Sequence, residues 1–109
     1  IQQYEIWLAD LHPARGPIPG KIRPLVIIQS NLYNNDLETC IVCPITSNVV
    51  ENIQYLRVQL PKDQLDKKSD ILIDQIRTID KIRVVKKFGS LSEKEIRECK
   101  RVIRETFVD

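Results

Sequence analysis

No stretch of this chain of 109 residues approaches the ~20 consecutive apolar residues of a membrane-spanning helix. A charged start followed by an apolar stretch and a small-residue cleavage site is also missing, so the expected location is the cytoplasm. Methionine is absent and the chain begins at Ile1, as a trimmed start would. Glycine is scarce at three residues and proline numbers six, which excludes a collagenous or low-complexity chain. With 42% hydrophobic and 29% charged residues, the composition is that of one compact domain over residues 1–109, neither disordered nor multidomain.

Histidine occurs once and cysteine three times, too few for a plausible structural zinc cluster. Cys40 and Cys43 share the apolar run Cys40-Ile41-Val42-Cys43-Pro44-Ile45, which reads as a strand, and side chains three apart on a strand point to opposite faces. These two thiols therefore cannot grip one metal, and buried reduced cysteines are the expectation. No G-x-x-x-x-G-K-[ST] loop, G-x-G-x-x-G, H-E-x-x-H or Cys-His couple is present. Metalloenzymes, nucleotidases and cofactor enzymes are set aside, and neither metal nor cofactor is expected.

Charge of one sign is lacking overall, since the net charge is only +2. Its distribution is uneven: residues 1–29 carry +1, residues 30–80 carry −3 and residues 81–109 carry +4. That total is too small for binding a polyanion by charge alone, so any nucleic-acid contact has to be local and shaped.

What is present reads as short strands closed by one helix. Tyr4 to Leu11 suits a strand stopped by Pro13, and the stretch from Pro13 to Pro24, with four prolines and two glycines, reads as a loop. Leu25-Val26-Ile27-Ile28 is apolar on both faces, as a strand inside a barrel or sandwich is. Ser30 to Asp36 reads as a turn holding at most one helical turn. Thr39 to Ile45, Tyr55 to Leu60, Ile71 to Ile73, Gln75 to Asp80 and Arg83 to Phe88 read as further extended segments, with a polar connection over 62–69. Ser92-Glu93-Lys94-Glu95 fits a capping box, with Leu91 placed to staple onto Ile96. Ile96, Cys99, Ile103 and Phe107 then recur at helical spacing. Five or more strands with non-local pairing and one terminal amphipathic helix predict a mainly β fold, a small antiparallel β-barrel with the helix packed on it.

Polar material at strand ends supplies the candidate site residues. Lys21-Ile22-Arg23-Pro24 brings cations to the mouth of a buried strand, and Pro24 restricts the backbone of Arg23. A guanidinium's planar fork matches the oxygens of a phosphodiester; the alternative is an arginine that only solvates a loop. Pro44-Ile45-Thr46-Ser47-Asn48 ends an apolar strand with three hydrogen-bonding side chains, which also describes a turn starter. Asp74-Gln75-Ile76-Arg77-Thr78-Ile79-Asp80 sets charges between apolar runs, where Asp74 with Arg77, or Arg77 with Asp80, also fits a structural ion pair. His12 reads as a surface turn residue.

Tyr4 to Gly16, Arg23-Pro24 opening a strand, Pro44-Ile45-Thr46-Ser47, and Asp74-Gln75-Ile76-Arg77-Thr78-Ile79-Asp80-Lys81, in this order and spacing, resemble the MazF/PemK/Kid family of bacterial toxins. The resemblance runs over essentially the whole chain and is most specific from Asp74 to Lys81. It implies an SH3-like β-barrel with a C-terminal helix, a homodimer, metal-free cleavage of single-stranded RNA at short sequences, and neutralisation by a partner antitoxin. It also implies that Arg23 and Thr46 carry cleavage, and that Gln75, Ser47 and Asp74 line the RNA groove. Lys21, Arg15 and Arg77 are expected beside them as further RNA-binding residues. Two positions depart from the family pattern. Gly16 is followed by Pro17 and Ile18, which offer no polar side chain to a base edge, and Leu72 stands where Kid-type members place an arginine just ahead of the aspartate.

For metal-free cleavage the ribose 2′-hydroxyl attacks the adjacent phosphorus, and negative charge grows on the phosphoryl oxygens. Arg23 is the expected electrostatic clamp and Thr46 a hydrogen-bond donor to the same group. A guanidinium is a poor acid or base, so Asp74 is the carboxylate to test as general base. The rival reading is a binding toxin of the same fold, catalytically inactive or acting like the related gyrase inhibitors. A generic SH3-like peptide binder would need an aromatic-lined groove, and the six aromatic residues here are scattered.

Overall fold

In the computed structural model, residues 1–11, 21–50, 56–61, 65 and 67–108 are described. The strands are β1 (Glu5–Asp10), β2 (Ile22–Ile27), β3 (Thr39–Thr46), β4 (Arg57–Leu60), β5 (Ser69–Leu72), β6 (Arg77–Asp80) and β7 (Val84–Ser90). One helical turn, α1 (Asn31–Asn34), precedes β3, and α2 (Glu93–Phe107) closes the fold. All pairings are antiparallel, in the order β4-β5-β3-β2-β1-β7. The long β3 organises the sheet. One of its edges pairs with β2, while the other is divided between β6, at Thr39 to Val42, and β5, at Ile45 and Thr46. The expected barrel is realised as an open sheet with β4 and β7 at its ends.

Leu25, Val26 and Ile27 are all fully buried because the sheet has an apolar layer on each face. Val26 packs with Ile6, Cys43, Ile45, Val58 and Ile71, under Cys99 and Val102 of α2. Leu25 and Ile27 pack on the other side with Ala9, Cys40, Val42 and Ile79. The alternation of a pleated strand accounts for the division, and it sends Cys40 and Cys43 to opposite layers as expected.

The capping box of α2 is formed: Glu95 N donates to Ser92 Oγ at 3.2 Å and Ser92 N to Glu95 Oε1 at 2.8 Å. This satisfies two of the free amides of the first turn. Leu91 and Ile96 join the same packed cluster. The buried stripe differs from the expected one, for Cys99 and Val102 face the sheet while Phe107, the last helical residue, is half-exposed. Residues three apart share a helix face, so Cys99 and Val102 together seal the layer over Cys43.

Burial pushes the Cys43 and Cys99 thiols up from 9.0 to about 12, with the Cys99 sulfur and Asp74 adding to the effect at Cys43. The folded protein thus holds these protons after the unfolded chain has released them. Stability from this source is complete below pH ~8.5 and falls as pH rises toward ~12. Native protein at pH 8 is expected to leave both thiols unlabelled by a disulfide reagent for hours, and to label fully in urea. Stoichiometric labelling of the native form within minutes contradicts this.

Candidate active site

β2 meets β3 with Val26 opposite Cys43 and Leu25 opposite Pro44. Counting two residues further along that register sets Arg23 abreast of Thr46. Both line one cavity of about 500 Å³, at the rim where β2 begins and β3 ends. Leu8, Pro24 and Ile45 give this cavity an apolar wall, and Ser47 and Lys67 add polar groups. The β3–β5 register, with Thr46 opposite Asp70, brings Ser47 abreast of Ser69 by the same count, and Ser69 lines the cavity too.

Arg23 is exposed and lies on β2, opposite Ala9 of β1, instead of in a loop. The Pro-rich composition around it suggested a loop, but pairing with β1 runs on to Ile22. Proline at 24 is tolerated close to the start of a strand. A strand backbone fixes where the guanidinium is launched, which a loop does not.

Thr46 is the last residue of β3, and its Oγ1 accepts the Asn48 amide at 3.1 Å. A hydroxyl has one proton to donate. With a lone pair of Oγ1 taken by the following turn, that proton turns away from Asn48.

Phe88 enters the cavity lining through an irregularity. On β1 and β7, Ile6 pairs with Gly89 but Trp7 pairs with Lys87, so Phe88 is the extra residue of a β-bulge, and Val85 is the extra residue at the next step. Bulges re-aim side chains, and Phe88 lines the cavity while remaining 44% exposed. Sequence reasoning missed Phe88, Lys67 and Ser69. The available signal was that Val84 to Ser90 does not alternate.

The other expected residues lie elsewhere. Asp74 and Gln75 sit exposed on a single 3-10 turn, Ile73–Gln75, after β5. Arg77 is exposed on β6 opposite Val42, four residues and about 13 Å along β3 from Thr46. None of the three lines the cavity. Among the described residues, Arg77 forms no ion pair with Asp74 or Asp80. Lys21 is exposed just before β2, its carbonyl accepting the Leu11 amide at 3.3 Å. Arg15, His12, Pro17 and Ile18 lie outside the described residues. Among the described residues, no group of three or more His, Cys, Asp or Glu is arranged to hold a metal. A larger hollow of about 700 Å³, between β4 and the first turns of α2, contains none of the expected site residues.

Residues 2–107 match the family described as PemK-like, MazF-like toxin of type II toxin-antitoxin system. The chain is 41% identical over 105 residues to Endoribonuclease MazF of Staphylococcus saprophyticus, covering 94% of this chain and 88% of that protein. The solved Mycobacterium tuberculosis toxin MazF-mt6 is similar with a TM-score of 0.79 at 22% identity, over 94% of this chain and 95% of that one. MazE-MazF from Deinococcus radiodurans gives 0.79 at 19% identity, over 97% and 94%. An endoribonuclease in complex with its cognate antitoxin, from Mycobacterial species, gives 0.76 at 15% identity, over 95% and 91%. At these identities the structural likeness speaks for the fold.

Proposed function

This chain belongs to the family of PemK-like, MazF-like toxins of type II toxin-antitoxin systems, and from that membership we propose that it cleaves single-stranded RNA at a short sequence, in the cytoplasm, until a cognate antitoxin covers the site. The observation that carries the reading is the convergence of Arg23 and Thr46 on one cavity. A scissile phosphate seated there meets a fixed positive charge and a hydroxyl donor. The ribose 2′-hydroxyl attacks phosphorus, the P–O5′ bond breaks, and a 2′,3′-cyclic phosphate and a 5′-hydroxyl are left. Arg23 and Thr46 stabilise the charge that grows on the phosphoryl oxygens, which in a partly dry groove is worth several kcal/mol. Among the described lining residues there is neither carboxylate nor imidazole, so these residues supply charge and a hydrogen bond, not a base. Asp74 stays the carboxylate to test for that role.

RNA leaving the cavity is read by Ser47, Gln75, Lys21 and Arg77, with Arg15 as a further basic contact. Family membership makes a homodimer the acting species, and the exposed apolar Ile82 and Val85 are available to such a pairing. The antitoxin, a short acidic chain, competes with RNA for the groove. That an antitoxin partner exists is supported by structural relatives solved as a MazE-MazF pair and as an endoribonuclease with its cognate antitoxin.

Incubating the protein with a long unstructured RNA in EDTA, and mapping the new 5′ ends, tests the reading. The expected result is cutting at one recurring short motif, undiminished by the chelator and abolished by the antitoxin. An intact RNA pool would favour the binding toxin instead, and a requirement for Mg²⁺ would exclude the metal-free route.

A further inference from the structure

Two charged side chains outside the cavity hold the turn on which Thr46 depends. Asp70 lies on β5 opposite Thr46 and, on its other side, opposite Gln59 of β4. It is completely buried. Arg57 pairs with Leu72, two residues along from the Gln59–Asp70 pair, and so is the diagonal neighbour of Asp70 on one sheet face. Asp70 Oδ2 accepts the Val50 amide at 3.2 Å and Arg57 Nη1 at 3.1 Å. The same Nη1 donates to the Asn48 carbonyl at 3.1 Å. Asn48 N in turn donates to Thr46 Oγ1 at 3.1 Å, and Val49 N to the Ser47 carbonyl at 3.1 Å. The turn that follows β3 is thus tied at Asn48 and Val50 to the two strands beside it, and at Asn48 to the Thr46 hydroxyl.

Stability alone does not account for this pair. Among the described residues Asp70 Oδ1 is buried with no hydrogen-bond partner, and a carboxylate taken wholly out of water with one oxygen unmatched gains little or nothing over an apolar residue. An apolar pair, however, could not bond the Val50 amide and the Asn48 carbonyl. What Arg57 and Asp70 add is a location for the turn.

We infer that Arg57 and Asp70 are positioning residues for cleavage: they hold the Ser47 to Val50 turn so that Thr46 keeps its bond from Asn48 and presents its proton to the phosphoryl oxygen. This rests on the role assigned to Thr46 above. Neither side chain touches substrate. Their effect passes through the Thr46 hydroxyl, whose value to the transition state lies in being aimed beforehand.

A double-mutant cycle on an oligoribonucleotide carrying the mapped motif tests this, with kcat and KM measured for Asp70→Asn, Arg57→Met, Arg57→Lys, Thr46→Val and the combinations with Thr46→Val. Asp70→Asn and Arg57→Met are each expected to lower kcat by about tenfold or more with KM within about twofold. In the Thr46→Val background the same changes are expected to lower kcat by less than about twofold, because their route of action is already gone. Arg57→Lys, which keeps a donor near Asn48, is expected to restore part of the loss. Amide exchange at Val50 is expected to speed up in Asp70→Asn and Arg57→Met but not in Thr46→Val. Parent kcat in Asp70→Asn and Arg57→Met, or a loss that persists undiminished beside Thr46→Val, overturns the inference while leaving the Thr46 reading intact. A Thr46→Val variant that cleaves at the parent rate defeats the Thr46 reading itself. If Arg57→Met melts without cooperativity, the volume-conserving Asp70→Asn and Arg57→Lys decide the matter.

Discussion

Arg23→Ala is expected to slow cleavage by about 10²–10³-fold, the cost of removing one preorganised charge-stabilising group from a site of this kind. The loss should fall on kcat, because the charge that Arg23 meets is greater in the transition state than in the ground-state phosphodiester. Unfolding should change by no more than about 0.5 kcal/mol, since the side chain is exposed and its removal leaves no cavity in either apolar layer. Arg23→Lys keeps the charge but not the planar two-pronged donor, and is expected to recover only part of the rate. Initial rates in EDTA on the mapped motif, beside urea unfolding of each variant, check both halves. A parent rate in Arg23→Ala removes Arg23 from the site. A large fall in stability would mean that Arg23 holds β2 to β1 instead.

Much of this arrangement was legible in the sequence wherever a local pattern dictated it. Leu25 to Ile27 is apolar at every position, which requires an apolar layer on each face. The spacing of Cys40 and Cys43 placed them in different layers, and Ser92 with Glu95 announced the start of α2. Neighbouring residue types and the family resemblance both point to Arg23 and Thr46, and the β2–β3 register puts them abreast. Non-local pairing hid the rest. Nothing near Pro24 signals that β2 begins at Ile22, because the reason is the partner strand β1. Phe88 joins the cavity through a register shift against β1; the missing alternation of β7 marks an irregularity, but which residue it re-aims is set by the partner strand. Asp70 follows the polar stretch Lys67-Lys68-Ser69 and so looks like part of a solvated connection, and its partner Arg57 lies on a different strand, β4. Expectations for the Pro17 and Ile18 loop fall outside the described residues.

Arg57→Met is expected to destabilise the protein by about 3–5 kcal/mol, because it leaves the fully buried Asp70 without its counter-charge. The lower end of that range is favoured, since the Arg57 side chain keeps 17% of its exposure and water reaches one side of the pair. The double variant Arg57→Met, Asp70→Val is expected to recover most or all of the loss. Valine is β-branched, suits a strand, and brings neither a buried charge nor an unmatched oxygen into the layer. Its stability by urea unfolding should lie within about 1 kcal/mol of the parent, or above it. Cleavage should nevertheless stay about tenfold or more below the parent, because the Val50 amide and the Asn48 carbonyl have lost their partners and the Thr46 hydroxyl its fixed aim. Stability and activity then part company at one pair of residues, as they do where polar groups are kept for placement. A double variant no more stable than Arg57→Met would show that the ion pair is itself the stabilising element, and a stable double variant cleaving at the parent rate would show that the turn finds its position without it.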